Sequence, residues 1–421
     1  MSLLGGTISI TGVSFLMFCI FAIAAIGYGL GRITIKGVNL GTAGVFIVAL
    51  LFGCFFFEPL KGQLLVGTDA GEKVAYVDNA LKIIETFGLI LFVTAVGFIA
   101  GPKFFGNLKK NFKSYILLGV VIILAGGLSA IGCIYLGRAL GETNYAEFTA
   151  MIVGLLSGSL TSTPAFSAAK DTVAPEYVNA VSVGHGIAYI FGVIGVVLFV
   201  QLLPKFVKAD MVYERSLLKP EVMEEREEKQ TKKLFTCDDF GFTALAIAIV
   251  SGLILGGIKI PLFNGINFSL GTTGGVLIMC LVFGHFGRIG SLSMQVPTAT
   301  VKTLKELGLM LFLIGAGVDG GVSLVSAVGD DASIVAWGFI GGVVITIVPM
   351  VVGFFLGKYV LKLPLLATLG SITGGMTSTP ALGTLISTAE TDDVAGAYAS
   401  TYPIALVLIV IACNLLINLM M

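Results

Sequence analysis

A chain of 421 residues that is 56% hydrophobic, with mean hydropathy +1.00 and only 12% charged residues, carries about half the charge of a soluble domain, which excludes an ordinary soluble fold. Its 25 basic and 25 acidic side chains cancel, so nothing in the balance favours a nucleic-acid partner. Apolar runs of about 20 residues recur along the whole length and point to an all-α polytopic membrane protein; a β-barrel would show short alternating segments instead.

Twelve hydrophobic segments are predicted, at 13–31, 38–57, 80–100, 114–137, 147–169, 178–203, 240–258, 267–286, 301–321, 332–357, 363–389 and 394–420. The first lacks a basic leader and a small-residue cleavage site, so it is expected to be retained. The stretch 204–239 is the only long polar one and holds Glu224–Lys229, Lys232 and Lys233. It reads as a solvated linker between a first membrane unit, 1–203, and a second, 240–421. Cys19, Cys54, Cys133, Cys280 and Cys413 lie singly in apolar segments, with Cys237 just ahead of one, and none has metal or redox spacing.

The fifth and eleventh segments share a motif. Gly154-Leu-Leu-Ser-Gly-Ser-Leu-Thr-Ser-Thr-Pro164 returns 216 positions later as Gly370-Ser-Ile-Thr-Gly-Gly-Met-Thr-Ser-Thr-Pro380. Weaker matches fall in the same order: Gly41-Thr-Ala-Gly44 with Gly271-Thr-Thr-Gly274, and Phe87-Gly-Leu-Ile-Leu-Phe92 with Leu307-Gly-Leu-Met-Leu-Phe312. The order implies a tandem duplication. Placing the linker in the cytoplasm and letting all twelve segments cross puts 17 Lys and Arg inside and 8 outside. If the fifth and eleventh enter and leave on one side, the split becomes 19 to 6, with both termini outside. Five crossings and one re-entrant or broken helix per half make the halves inverted repeats, an architecture of secondary transporters.

Small hydroxyl residues and proline suit a place where a membrane helix breaks beside a cavity. Thr163 before Pro164, and Thr379 before Pro380, read as a capping residue followed by a proline at the first helical position. The unpaired N–H groups of such a half-helix attract a carboxylate without a buried arginine. Ser157, Ser159, Thr161, Ser162, Thr163, Thr373, Thr377, Ser378 and Thr379 offer hydroxyls, and Gly158, Gly374 and Gly375 allow close backbone approach. The bland alternative is that these hydroxyls only join helices. His185 is an ionisable group inside a span and a candidate for substrate or proton contact, with its counterpart expected near Ser400-Thr401-Tyr402-Pro403. Asp319 reads as a solvated helix end, and Lys82, Glu85, Lys302, Lys305 and Glu306 as interfacial.

At Gly101-Pro-Lys-Phe-Phe105, at Ser157–Pro164 and Thr377–Pro380, and at Gly396-Ala-Tyr-Ala-Ser-Thr-Tyr402, the chain resembles the aspartate–alanine exchanger family of bacterial secondary transporters, particularly its YbjL-type branch. The resemblance implies exchange or export of amino acids and dicarboxylates such as aspartate, glutamate or succinate. It also implies a mobile core that slides, elevator-like, against a dimeric scaffold in the inner (plasma) membrane. Family members carry soluble regulatory domains between the halves, where this sequence has only 204–239. No cofactor is expected beyond a coupling ion, Na+ or H+; the expected partners are a small carboxylate or amino-acid substrate, membrane lipid and a second copy of the chain. Two rivals make different predictions. An intramembrane serine hydrolase would use Ser157 or Ser159 with His185 as base, and an anion channel would need a continuous wet path.

Overall fold

The computed structural model describes residues 2–3, 8–35, 38–39, 43–67, 73–218, 234–261, 267–268, 270–329 and 332–421. The charged run Glu224–Lys229 with Lys232 and Lys233, the glycine–threonine pair at 41–42, and Asp330 and Asp331 lie outside these residues. Helices dominate: α1 (Gly12–Gly31), α2 (Ala43–Lys61), α3 (Val77–Ala139), α4 (Tyr145–Ser159), α5 (Thr163–Thr172), α6 (Val178–Phe206) and a short α7 (Met211–Ser216). After the polar stretch come α8 (Phe242–Gly257), α9 (Gly271–Phe286), α10 (Thr298–Gly329), α11 (Ala332–Phe355), α12 (Leu365–Gly375), α13 (Thr379–Ala389) and α14 (Val394–Met420). Among the described residues the strands form two-stranded pairs of two or three residues. Among the described residues, seven spans are long and apolar enough to cross a membrane, so the protein is an all-α polytopic membrane protein.

The third and fourth predicted segments form one unbroken helical run, α3, where the sequence reading expects a loop at 101–113. That run is bent back on itself. Leu89 lines the same cavity as Tyr402, and a Cβ on Gly119 would lie 3.1 Å from Thr401, the neighbour of Tyr402. Thirty residues of straight helix would separate 89 from 119 by about 45 Å. Pro102, inside the run, removes a ladder hydrogen bond and supplies a cause for bending. The apolar parts 77–102 and 113–139 each cross by themselves.

The direction of the two short hairpins follows from glycine contacts. A Cβ on Gly154 would lie 2.2 Å from Val181 O, and one on Gly158 2.3 Å from His185 O, so α4 runs parallel to α6. Since α5 ends at Thr172 and α6 begins at Val178, α5 returns to the side where α4 began. In the same way Gly370 meets Val394 and Gly374 meets Tyr398, so α12 is parallel to α14, and α13 returns to the side where α12 began. The end of α6 leads directly into α7, whose Glu214 accepts a hydrogen bond from Leu365 N at the start of α12, 2.7 Å. The first hairpin therefore enters from one face and the second from the linker face.

The two long inner helices cross where neither has a side chain. A Cβ on Gly88 would lie 2.7 Å from Gly308 O and 2.5 Å from Phe312 N; one on Gly308 would lie 2.7 Å from Gly88 O and 2.4 Å from Phe92 N. Those are matched positions of the Gly-Leu repeat, each making its partner's contact. Two residues expected at the interface are buried instead. Glu85 is held by Lys82 at 3.0 Å, and Lys305 by Asp392 at 2.9 Å. Such buried charges persist only when paired.

Candidate functional site

Each hairpin turns through the same backbone device. Past the end of α4, Thr161 N–H bonds Gly158 O at 2.8 Å and Ser162 N–H bonds Ser157 O at 2.8 Å. Past α12, Thr377 N–H bonds Gly374 O at 3.1 Å and Ser378 N–H bonds Thr373 O at 2.9 Å. This is the paired closure of a Schellman helix end, which needs a residue in the left-handed region and normally uses glycine there. Here the residues are threonines, Thr161 at φ 49° and Thr377 at φ 47°. A β-branched residue in that region is a genuine outlier and is strained.

The strain is met across the gap between the hairpins. Thr161 Oγ1 donates to Thr377 O at 3.1 Å and lies 3.3 Å from Met376 O, while Thr377 Oγ1 donates to Leu160 O. Each strained hydroxyl thus satisfies a carbonyl exposed by the other hairpin's helix end. The capping residue of each second half-helix is one position earlier than the sequence reading places it. Ser162 and Ser378 are the N-caps, and Thr163 and Thr379 open the helices, with proline second. The reason is that Thr161 and Thr377 are taken up by the turn, so the next residue is the first in extended conformation. Ser162 Oγ accepts from Ala165 N at 3.4 Å, but Ser378 Oγ is buried and unbonded. Thr163 and Thr379 open their helices, where the first-turn N–H groups have no partner within the helix.

Around the tips lies a cavity of about 40 Å³, lined by Thr161, Ser162, Thr163, Pro164, Thr377, Thr379 and Pro380 together with Leu89, Tyr189, Thr273, Phe312 and Tyr402. It has room for a few waters. Seven of its lining residues belong to the motif read from sequence. The sequence reading does not single out Tyr189; Thr273 and Tyr402 lie in stretches it names, Gly271–Gly274 and 400–403, without being assigned to the site, although two tyrosine hydroxyls on the helices that follow the broken segments are a usable signal. Tyr402 and Thr273 reach the cavity from α14 and α9.

The rest of the motif lies behind the cavity. Ser157 Oγ bonds Gly154 O at 2.8 Å and His185 Nδ1 at 2.9 Å; Ser159 Oγ donates to Gly342 O at 3.3 Å; Thr373 Oγ1 donates to Gly370 O at 2.8 Å. Gly158 and Gly374 admit α6 and α14, and Gly375 admits Ile122. His185 is stacked on Phe166 at 4.1 Å and lies one helical turn before Tyr189. Its positional counterpart is Tyr398, which meets Gly370 as His185 meets Gly154, rather than the 400–403 stretch expected from sequence. Tyr398 OH lies 3.3 Å from Thr379 Oγ1. By the same offset Tyr189 matches Tyr402, and both reach the cavity.

Comparison with known proteins places this geometry. A family model described as Predicted Permease Membrane Region (Asp-Al_Ex) matches residues 19–205 and 244–418, most of the chain, and leaves out the polar stretch between. Curated relatives include an uncharacterized transporter of Bacteroides fragilis, 27% identical over 94% of this chain and 96% of its own. A second is an uncharacterized transporter of Desulfotalea psychrophila, 24% identical over 95% and 96%. A third, from Corynebacterium efficiens, is 33% identical over 43% of this chain and 33% of its own. The alignment with the Bacteroides fragilis protein runs over 547 positions, more than the 421 residues present here, so that relative has residues without a counterpart.

Proposed function

The chain belongs to the Asp-Al_Ex predicted-permease family, and from that premise we propose that it is a secondary active transporter that exchanges small carboxylates or amino acids, such as aspartate, glutamate or succinate. Residues 1–203 and 240–421 act as inverted repeats joined by the cytoplasmic linker 204–239, in a homodimer of the bacterial inner membrane with both termini outside. A coupling ion, Na+ or H+, accompanies or opposes the substrate. The extra residues of the relatives correspond to soluble regulatory domains between the halves.

One observation carries this reading. Two hairpins that enter from opposite faces meet tip to tip, and each brings a half-helix N-terminus, whose first-turn N–H groups lack partners within the helix, to the same small cavity. Free N–H groups, a partial positive charge and hydroxyls are what a carboxylate needs. Parting of the tips would widen the cavity around a carboxylate. Movement of a core against a scaffold would then expose the site to each face in turn.

The contact between Ser157 Oγ and His185 Nδ1 at 2.9 Å favours the hydrolase reading. Against it, Ser157 is fully buried and off the cavity, its hydroxyl is also bonded to Gly154 O, and His185 stacks on Phe166. The test is counterflow by the purified chain in liposomes over a panel of amino acids and dicarboxylates. Thr163→Val and Thr379→Val are expected to raise KM for the accepted substrate or abolish its uptake. Undiminished counterflow in both variants overturns the assignment of the site.

A further inference from the structure

The base of the second hairpin is gripped by two consecutive residues of the short helix that ends the first half. Glu214, 7% exposed, accepts from Leu365 N at 2.7 Å and from Lys358 Nζ at 3.1 Å. The helix α12 opens after Pro364, which has no side-chain cap to offer, so Glu214 takes the place of a capping residue at the positive end of that helix. Arg215 Nη1 donates to Ala389 O, the last residue of α13, at 3.4 Å and pairs with Glu390. One acid at the N-terminus of one leg and one base at the C-terminus of the other complement both helix ends. Among the described residues no ion pair reaches the base of the first hairpin.

The hairpins also differ in exposure at matched positions. Thr163 is exposed, whereas Thr379 is 5% exposed. Phe166, Ala168 and Lys170 are half-buried, whereas Leu382, Thr384 and Ile386 are buried. A charged ammonium on the half-exposed side of α5 is in keeping with a wet face rather than a lipid-facing one.

We propose that Glu214 and Arg215 latch the second hairpin, so that this form is closed on the linker side and open to water beside the first hairpin, and that release of the latch is a step toward the opposite form. The proposal rests on the transport reading and adds positioning residues to it. In the sequence the latch lies just ahead of the charged stretch between the halves.

The experiment uses the full chain in nanodiscs, where a charged maleimide meets both faces. Cys237, the exposed native thiol, is replaced by serine. Ala168→Cys then reports on the first hairpin and Ile386→Cys on the second. With the latch intact, the first probe is expected to react readily and the second slowly. Glu214→Gln with Arg215→Gln is expected to speed the second probe about tenfold or more, as loss of charge-assisted hydrogen bonds implies, and to slow the first. Glu214→Asp with Arg215→Lys should keep most of the original pattern. Arg215→Gln alone, which leaves the buried carboxylate in place, serves if the double variant fails to fold. An unchanged second probe, or both probes speeding up together as in general loosening, overturns the proposal. Counterflow is measured on the same unmodified chain: no transport together with opposite shifts of the probes overturns the transport reading and keeps the latch.

Discussion

The two left-handed threonines give a prediction whose sign differs from ordinary practice. A non-glycine residue in that region costs about 1–2 kcal/mol, and the hydroxyl bond across the tips returns about 0.5–1.5 kcal/mol. At Thr161 and Thr377 together, replacement by alanine keeps the strain and loses the bonds. Replacement by glycine loses the bonds but removes the strain, less about 0.4–1 kcal/mol per site for the greater freedom of glycine in the unfolded chain. The double glycine variant is therefore expected to hold its tips closed about as well as the unmodified chain. The double alanine variant is expected to open more often by about 1–3 kcal/mol, or roughly 5- to 160-fold in hydrogen exchange of the peptides covering 157–166 and 373–382. Exchange measured by mass spectrometry in detergent resolves that range. If the glycine pair exchanges as fast as the alanine pair, φ 49° and 47° carry no strain and the account of the tip contact fails.

Gly88→Ala is expected to abolish folding or cost about 1–3 kcal/mol, because its Cβ would lie 2.5 Å from Phe312 N and 2.7 Å from Gly308 O, and backbone cannot step aside. Gly127→Ala, with nothing within 4 Å, is expected to raise helix stability by about 0.5–1 kcal/mol, and the two melting curves decide it. Ser378→Ala removes a buried hydroxyl that has no partner, so it is expected to leave thermal stability equal or higher; a clear loss of stability would show that the hydroxyl is bonded. Asp238 accepts from Thr243 N, Phe242 N and Phe240 N, at 2.9, 2.7 and 3.1 Å, and the bonds from Thr243 first and Phe242 after it pull its carboxyl from 3.8 down to about 2. With the folded value below the unfolded one, the cap contributes above about pH 4 and is lost as pH falls through 2. Exchange at residues 240–245 is expected to rise over that range and to lose this pH dependence in Asp238→Ala.

What could be read in advance follows from what is local. Thr-Ser-Thr-Pro announces a break and a restart of helix from nearest-neighbour chemistry alone, and both breaks occur, at 160–162 and 376–378. The left-handed threonines could not be read, because local preference puts glycine there and only a carbonyl supplied 216 positions away holds the hydroxyl in place. The loop expected at 101–113 rests on a gap in hydropathy between two apolar segments, whereas the helical run continues through it and bends, with Pro102 inside. Tyr189 and Tyr402 needed the pairing of α4 with α6 and α12 with α14, which rests on glycine contacts between distant segments.

Exposure at Thr163 and Thr379 is a different kind of illegibility. The flanking Thr-Ser-Thr-Pro-Ala is identical in both halves, yet one copy is exposed and the other buried. Identical local sequence cannot encode that difference. It must come from parts that differ between the halves, and Glu214 and Arg215 are such parts, since they bind the base of one hairpin only. A chain whose two hairpins were held alike would have no reason to prefer one closed face. Asymmetric restraint on near-symmetric elements biases a two-state equilibrium without specifying either state in the elements themselves.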